Sequence, residues 1–356
     1  MDETRPIKRR ANSFDVAERA GVSQSTVSRA LSGSPAITEV TRNRVIAAAR
    51  ELDYHVDERA ARLRRGTSGV LALVVIRRPP TEDSDPTEGV NSFSYRLIAA
   101  VCDAAAARGY ETLVSMQGEE ERFYADYVAT GQADAVIVIG TTSNTKAWSF
   151  FEARNDDRIA YWGAPFDHAA RIRSDNREGG RLAGSHLVSQ GYRRIALVGD
   201  PDDPQRQFAD RFAGCQEALE RAGLSPAAHA SGEGADREAQ GRAAVAHLLA
   251  SGAEFDAIFA ACDEIALGVL QELAERGLHV PETVGVVGFD GAAIGAYARP
   301  PLATVKPDLA QAGERLVAAA LGEAADAEAR AVPVALIERS SATRTRREAG
   351  SSIPAM

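Results

Sequence analysis

Apolar residues recur along this chain with two different periods, and the change of period divides it. Near the front, Val16, Ala17 and Ala20, then Val27, Ala30 and Leu31, fall at helical spacing within DVAERAGVSQSTVSRAL. That spacing predicts two short helices with buried inner faces between Asp15 and Leu31. Gly21 stands where the connecting turn needs a positive φ, and small Ala17 leaves room for the second helix to cross the first. Asn12 can cap the first helix, and Ser23 can cap the second by accepting from an N–H near Thr26. A third helix is expected from about Thr38 to Leu52, capped by Thr38, with Val40, Val45, Ile46, Ala49 and Leu52 facing inward.

From Gly69 onward short apolar runs replace this pattern: VLALVVI at Val70 to Ile76, AVIVIG at Ala135 to Gly140, RIALVG at Arg194 to Gly199, AIFAAC at Ala257 to Cys262 and VGVVGF at Val284 to Phe289. Amphipathic stretches separate them, among them Tyr95 to Arg108, Gly179 to Gln190, Phe208 to Ala222 and Glu264 to Arg276. Such alternation is the signature of an α/β fold with doubly wound parallel sheets. It runs too long for one ordinary sheet, so two similar lobes are expected.

The outer face of the second helix carries Gln24, Ser25, Ser28 and Arg29, with Thr26 beside them and Ser23 and Ser32 at its two ends. In a helix-turn-helix these positions meet base edges in the major groove, where Gln suits adenine, Arg suits guanine, and Ser or Thr serves either. Charge sharpens the picture. The 356 residues carry a formal −9, but residues 1–66 hold thirteen Lys and Arg against nine Asp and Glu, a net of +4 that leaves −13 for the remainder. A basic segment that neutralises phosphates, joined to an acidic body with another task, accounts for the split.

These residues resemble the LacI/GalR family of bacterial repressors, whose helix-turn-helix pieces are reproduced at Asp15 to Ala17, Ala20 to Ser23 and Thr26 to Arg29. The resemblance implies a hinge helix next, with Tyr54, then Ala60, Ala61 and Leu63 within DERAARLRRG. There Leu63 would wedge into the minor groove of a pseudo-palindromic operator held by a homodimer. Arg62, Arg64 and Arg65 beside it suit phosphate contacts. The family's proline and asparagine before the hinge are Val56 and Asp57 in this chain, an acidic cap.

Further along, SDNREGG at Ser174, DRFAG at Asp210, CDEIALG at Cys262, VPETVGVVGFD at Val280 and PPLATVKPD at Pro300 resemble the family's effector domain, which is related to periplasmic sugar-binding proteins. The resemblance implies a ligand in the cleft between lobes, with the chain crossing near Arg173, Lys306 and Leu336. Strand-end placement makes Arg211, Asp263 and Asp290 the polar candidates. Arg211 and Asp290 match effector-contacting positions; Phe93 and Trp162 match positions that stack an aromatic on ligand, with Tyr161 alongside. Trp162 reads equally as a core aromatic.

The expected organisation is a DNA-binding domain over 1–56, hinge helix and linker over 57–66, and an effector-binding and dimerisation domain over 67–345. Within it, lobe one covers about 67–172 and 307–335, and lobe two about 173–306 and 336–345, before a disordered tail over 346–356. The tail has no leucine heptad, so a dimer is expected rather than a tetramer.

The function expected is ligand-controlled repression of carbohydrate genes, with a purine-like corepressor or a solute-binding protein as alternatives. No stretch of about 18 apolar residues is present, and Met1 to Arg10 is charged, which points to a cytoplasmic protein without membrane contact. No GxGxxG after a strand, no phosphate-binding GxxxxGK[ST] loop and no GxSxG elbow appears, against an enzyme. Cys102, Cys215 and Cys262 are too widely spaced for a metal pair and read as buried thiols. His186 and His247 lack ligand spacing, so neither metal nor cofactor is expected.

Overall fold

In the computed structural model, residues 11–55, 66–77, 90–117, 126–140, 144–154, 156–202, 206–323 and 330–344 are described. The chain divides between Ser68 and Gly69 into two compact units.

The first unit is a three-helix core. Helix α1 (Ser13–Ala20) opens on a capping box: Asn12 Oδ1 accepts from the Phe14 and Asp15 amides, and the Asp15 carboxylate accepts from the Asn12 amide at 2.8 Å. It closes at Gly21, whose φ of 62° is the left-handed value the turn required. Helix α2 (Gln24–Leu31) is capped by Ser23 Oγ accepting from Thr26 N at 3.2 Å. Thr38 caps α3 (Glu39–Glu51) in the same way. Val16, Val27 and Val45, one from each helix, are essentially inaccessible. Each such valine contributes on the order of 1.5–3 kcal/mol by leaving water.

Val40 departs from expectation, for it is 78% exposed, and Ala48 takes the inward place instead. Five residues separate Val40 from Val45, about 140° around a helix, so the two cannot share one face. Val45, Ala48, Ala49 and Leu52 can.

The second unit holds two six-stranded sheets. Lobe one has the order β11-β5-β4-β3-β1-β2, all parallel, with β1 (Val70–Ile76), β2 (Glu111–Gln117), β3 (Ala135–Gly140), β4 (Ile159–Trp162), β5 (Arg171–Ser174) and β11 (Ala331–Val332). Strand alternation sorts its core. Leu71, Leu73 and Val75 face α4 (Ser92–Ala107) and α10 (Leu309–Ala320), whereas Ala72, Val74 and Ile76 face α5 (Thr145–Arg154). The same rule sends Trp162 to the first side and Tyr161 to the second.

Lobe two has the order β12-β10-β9-β8-β6-β7, with β6 (Ile195–Val198), β7 (Ala228–Ala230), β8 (Ala257–Ala260), β9 (Gly285–Phe289), β10 (Ala303–Pro307) and β12 (Val334–Ile337). Its edge strand β12 runs antiparallel to β10, so this sheet is mixed rather than wholly parallel. Helices α6 (Asn176–Ser189) and α7 (Gln207–Arg221) form one packed pair, and α8 (Arg237–Ala250) and α9 (Asp263–Glu275) another.

The α6–α7 crossing explains the glycines of two motifs. A Cβ on Gly214 would run into the Arg177 carbonyl, and one on Gly180 into the Arg211 carbonyl. Only glycine lets the two backbones approach this closely.

The chain passes between sheets three times. It leaves β5 at Ser174 for α6, leaves β10 at Pro307 for α10, and returns between β11 and β12 at Pro333. The last passage precedes Leu336, which is already paired with Val305 in lobe two. Cys215 and Cys262 are buried, but Cys102 is only half-buried.

Candidate nucleic-acid interface and ligand cleft

On α2 the exposed side chains are Ser25, Ser28 and Arg29, with Ser23 and Ser32 exposed at the caps. Gln24 and Thr26 are half-buried. Positions 24, 25, 28, 29 and 32 form one helical face because they advance by single steps and whole turns. Gln24 Nε2 donates to Ser13 Oγ at 3.3 Å, which ties it to α1. Ser23 Oγ lies 2.9 Å from both Ser25 Oγ and Thr26 Oγ1. Ser32 Oγ donates to the Arg29 carbonyl. The Arg29 guanidinium makes no hydrogen bond or ion pair among the described residues, so its planar fork faces outward uncommitted. Ala60 and Leu63 of the expected hinge lie outside the described residues.

A cavity of about 80 Å³ lies between the lobes, and four of the five candidate ligand residues line it: Phe93, Trp162, Arg211 and Asp290. Phe93, in the first turn of α4, packs against Trp162 at the end of β4 with ring centroids 5.6 Å apart. Trp162 is thereby both core and cavity wall: it is 5% exposed and belongs to the α4/α10 face of lobe one.

Arg211 projects from α7 and is 3% exposed. Its guanidinium is spread over several partners. Nε donates to Asn176 Oδ1 at 2.9 Å, Nη1 to the Ala261 carbonyl at 2.5 Å, and Nη2 to Asp290 Oδ1 at 3.2 Å. Its Cζ lies over the Phe289 ring, 3.7 Å from the centroid. Asp290 follows β9 at a φ of 108°, a conformation unusual for a residue with a side chain. Burial raises its pKa to about 6 against the opposing pull of Arg211.

Asp263 does not reach this cavity. Its carboxylate turns into lobe two, where Oδ1 accepts from Thr304 Oγ1 and Oδ2 from the Ala292 amide, both at 2.6 Å. Thr304 Oγ1 in turn accepts from the Gly291 amide at 3.2 Å. Asp263 therefore holds the loop that carries Asp290 rather than presenting itself to a ligand. Burial, with Asp290 nearby, raises its pKa to about 8. Its neighbour Glu264 lines the cavity instead.

Sequence reasoning missed Asn91, Gln207, Phe208, Glu264 and Arg237, which also line the cleft. Asn91 caps α4, and Glu264 and Arg237 sit in the first turns of α9 and α8. A readable signal existed, because residues just after a strand's carboxyl end gather at the ligand edge of an open sheet. Arg96 was missed as well. From α4 in lobe one, its Nη1 donates to the carbonyls of Asp290 and Gly291 at 3.0 and 2.9 Å. Glu264 Oε1 accepts from the amide and hydroxyl of Ser92, again across the cleft.

Burial pushes the Cys215 and Cys262 thiols up to about 12. Among the described residues no helix is long and apolar enough to cross a membrane, and no cluster of His, Cys, Asp or Glu could hold a metal ion.

Residues 14–57 match the family described as bacterial regulatory proteins, lacI family, and residues 185–342 match the periplasmic binding protein-like domain. The HTH-type transcriptional regulator CelR of Thermobifida fusca is 31% identical over 84% of this chain and 87% of its own length. The HTH-type transcriptional regulator AscG of Escherichia coli is 30% identical over 82% and 86%. Among solved structures, a CelR–cellobiose complex superposes with a TM-score of 0.62 at 27% identity, covering 93% of this chain and 100% of that one. The lac repressor dimer bound to operator and the anti-inducer ONPF gives 0.74 at 24% identity, with 94% and 100% coverage, a likeness of fold.

Proposed function

The chain belongs to the lacI family of bacterial regulatory proteins, and from that premise we propose a dimeric repressor of carbohydrate uptake or catabolism genes whose hold on operator DNA is set by a sugar bound between its lobes. The observation that carries the ligand reading is the meeting of a buried Arg211–Asp290 pair with the Phe93–Trp162 pair at one cavity. Fixed planar donors and acceptors suit vicinal hydroxyls, and aromatic faces suit the apolar side of a pyranose ring. The charges lining the cleft balance, Arg211 and Arg237 against Asp290 and Glu264, which favours a neutral ligand over a phosphate ester. The CelR relative was solved with cellobiose, which agrees with a sugar. A purine-like corepressor is the second reading, favoured by the flat faces of Phe93 and Trp162.

In this mechanism two copies of α2 read the half-sites of a pseudo-palindrome, with Gln24, Ser25, Thr26, Ser28 and Arg29 toward base edges. The hinge segments supply Ala60 and Leu63 to the minor groove. Ligand acts through the cleft. A sugar that engages Asp290 alters the loop whose carbonyls Arg96 holds from the other lobe, so occupancy biases the lobe arrangement. A ligand that prefers the DNA-bound arrangement is a corepressor, and one that prefers the other is an inducer.

The test is selection of bound DNA from a random pool by the full-length chain, repeated with neutral sugars and purines. A two-fold-symmetric sequence should enrich and respond to sugar. Failure to enrich any palindrome would sink the proposal.

A further inference from the structure

The cleft between the lobes is small for a ligand of ordinary size, and a larger space adjoins it. About 80 Å³ is open between the lobes, below the roughly 300 Å³ at which small-molecule pockets begin. A second cavity of about 600 Å³ lies in lobe two, at the carboxyl ends of β6 and β7 beneath α8. Arg237 lines both. Its guanidinium sits 4.9 Å from the centroid of the Phe208 ring, on the cleft side, and its Nη1 donates to Gln240 Oε1 at 3.1 Å, on the other.

The chemistry of this second cavity differs from that of the cleft. Its hydrogen-bonding side chains are Asp200, Ser231, Glu233, Arg237, Gln240 and His247, and among the described residues no Phe, Tyr or Trp lines it. His247 Nδ1 donates to the Ser231 carbonyl at 3.2 Å, which fixes the ring against β7. Two carboxylates against one guanidinium disfavour an anionic ligand. Gly232 lies against the α8 backbone at Gln240, where a Cβ would collide, so this wall is bare main chain. A space of this size and polarity, whose apolar lining is the small Val198, Ala243, Ala244 and Ile265 with no Phe, Tyr or Trp face to stack on, suits hydroxyl groups better than a flat heterocycle.

We propose that the lobe-two cavity is an extension subsite, and that the effector is a neutral oligosaccharide of at least two pyranose rings. One ring occupies the cleft against Phe93 and Trp162, the next lies in the cavity under α8, and Arg237 hydrogen-bonds at their junction. The inference rests on the sugar reading above and adds chain length to it.

The test titrates the full-length chain by tryptophan fluorescence with D-glucose, D-xylose and D-galactose, and with their 1,4-linked disaccharides in α and β forms. At least one disaccharide is expected to bind about tenfold tighter than its own monosaccharide. The double variant Glu233→Ala/His247→Ala, at two exposed positions that line the lobe-two cavity and not the cleft, should erase most of that gain while the monosaccharide titrates as before. A monosaccharide that binds as tightly as its disaccharide overturns the subsite and leaves the sugar reading standing, as does a variant that weakens both ligands equally. If none of these sugars binds while operator binding is intact, the sugar reading falls and takes the subsite with it.

Discussion

Removing Arg211 exposes how the cleft is built. Arg211→Ala deletes the donors to Asn176 Oδ1, the Ala261 carbonyl and Asp290 Oδ1 at once, and leaves a carboxylate that is only 16% exposed without its cation. Breaking a buried pair from one side typically costs about 3–5 kcal/mol. Asp290 can relieve part of that by taking up a proton, since burial already holds its pKa at about 6 and losing Arg211 raises it further. The lower end, about 3 kcal/mol near neutral pH, is therefore expected, equivalent to roughly 5 °C in Tm for a unit of this size.

The pH dependence follows from the direction of the shift. A carboxylate whose folded pKa lies above its unfolded value, near 4, binds more protons when folded and loses stability as pH rises through that window. For the parent chain the loss from Asp290 ends near pH 6; in the variant it continues higher. Thermal melts at pH 5.5 and pH 8 should thus show a small deficit for Arg211→Ala at the acid value and a larger one at the alkaline value. In an Asp290→Asn background the same substitution should cost at least about 1 kcal/mol less. Equal deficits at both pH values, or no relief from Asp290→Asn, would refute the orphaned-carboxylate argument. Operator binding without ligand should survive Arg211→Ala while the ligand response disappears.

Arg29→Ala should weaken specific binding by about 1–3 kcal/mol and relax the preference at one base pair; an equal loss on all sequences in a binding competition would make Arg29 a phosphate contact instead. Gly214→Ala drives a Cβ into the Arg177 carbonyl and should destabilise by about 1–3 kcal/mol, read as a lower urea midpoint at unchanged slope; a neutral outcome would mean the α6–α7 crossing can spread freely. Asp263→Asn removes a buried carboxylate raised to about 8, so the decline in stability between pH 6 and pH 8 should flatten; an unchanged slope in calorimetry would place that dependence elsewhere.

What the residues alone disclosed follows from how completely each element is buried. β1 and β3 are covered on both faces, so their unbroken apolar runs announce themselves. β2 is an edge strand whose ETLVSMQ run breaks its apolar residues with Thr112 and Ser115 and leaves Glu111 and Val114 exposed, and β5 reads RIRS with alternate residues buried, so neither forms an apolar run. In the first unit the caps at Asn12, Ser23 and Thr38 were legible because capping is local chemistry. Val40 was misplaced because hydrophobicity was weighed without the angle between it and Val45. In the cleft, Asp263 and Glu264 begin the same helix, and which of two adjacent acids faces the ligand depends on how α9 sits on its sheet. Arg96 reaches its partners from a different lobe, 194 positions away in sequence, and no local pattern encodes that meeting.

The central claim is that a cleft ligand sets the affinity of the front unit for DNA. Fluorescence anisotropy of the selected operator, titrated with the full-length chain with and without a saturating sugar, measures it directly. A shift of about 5- to 150-fold in operator affinity, in either direction, is predicted. An operator affinity that stays the same while tryptophan fluorescence reports a filled cleft would contradict the account.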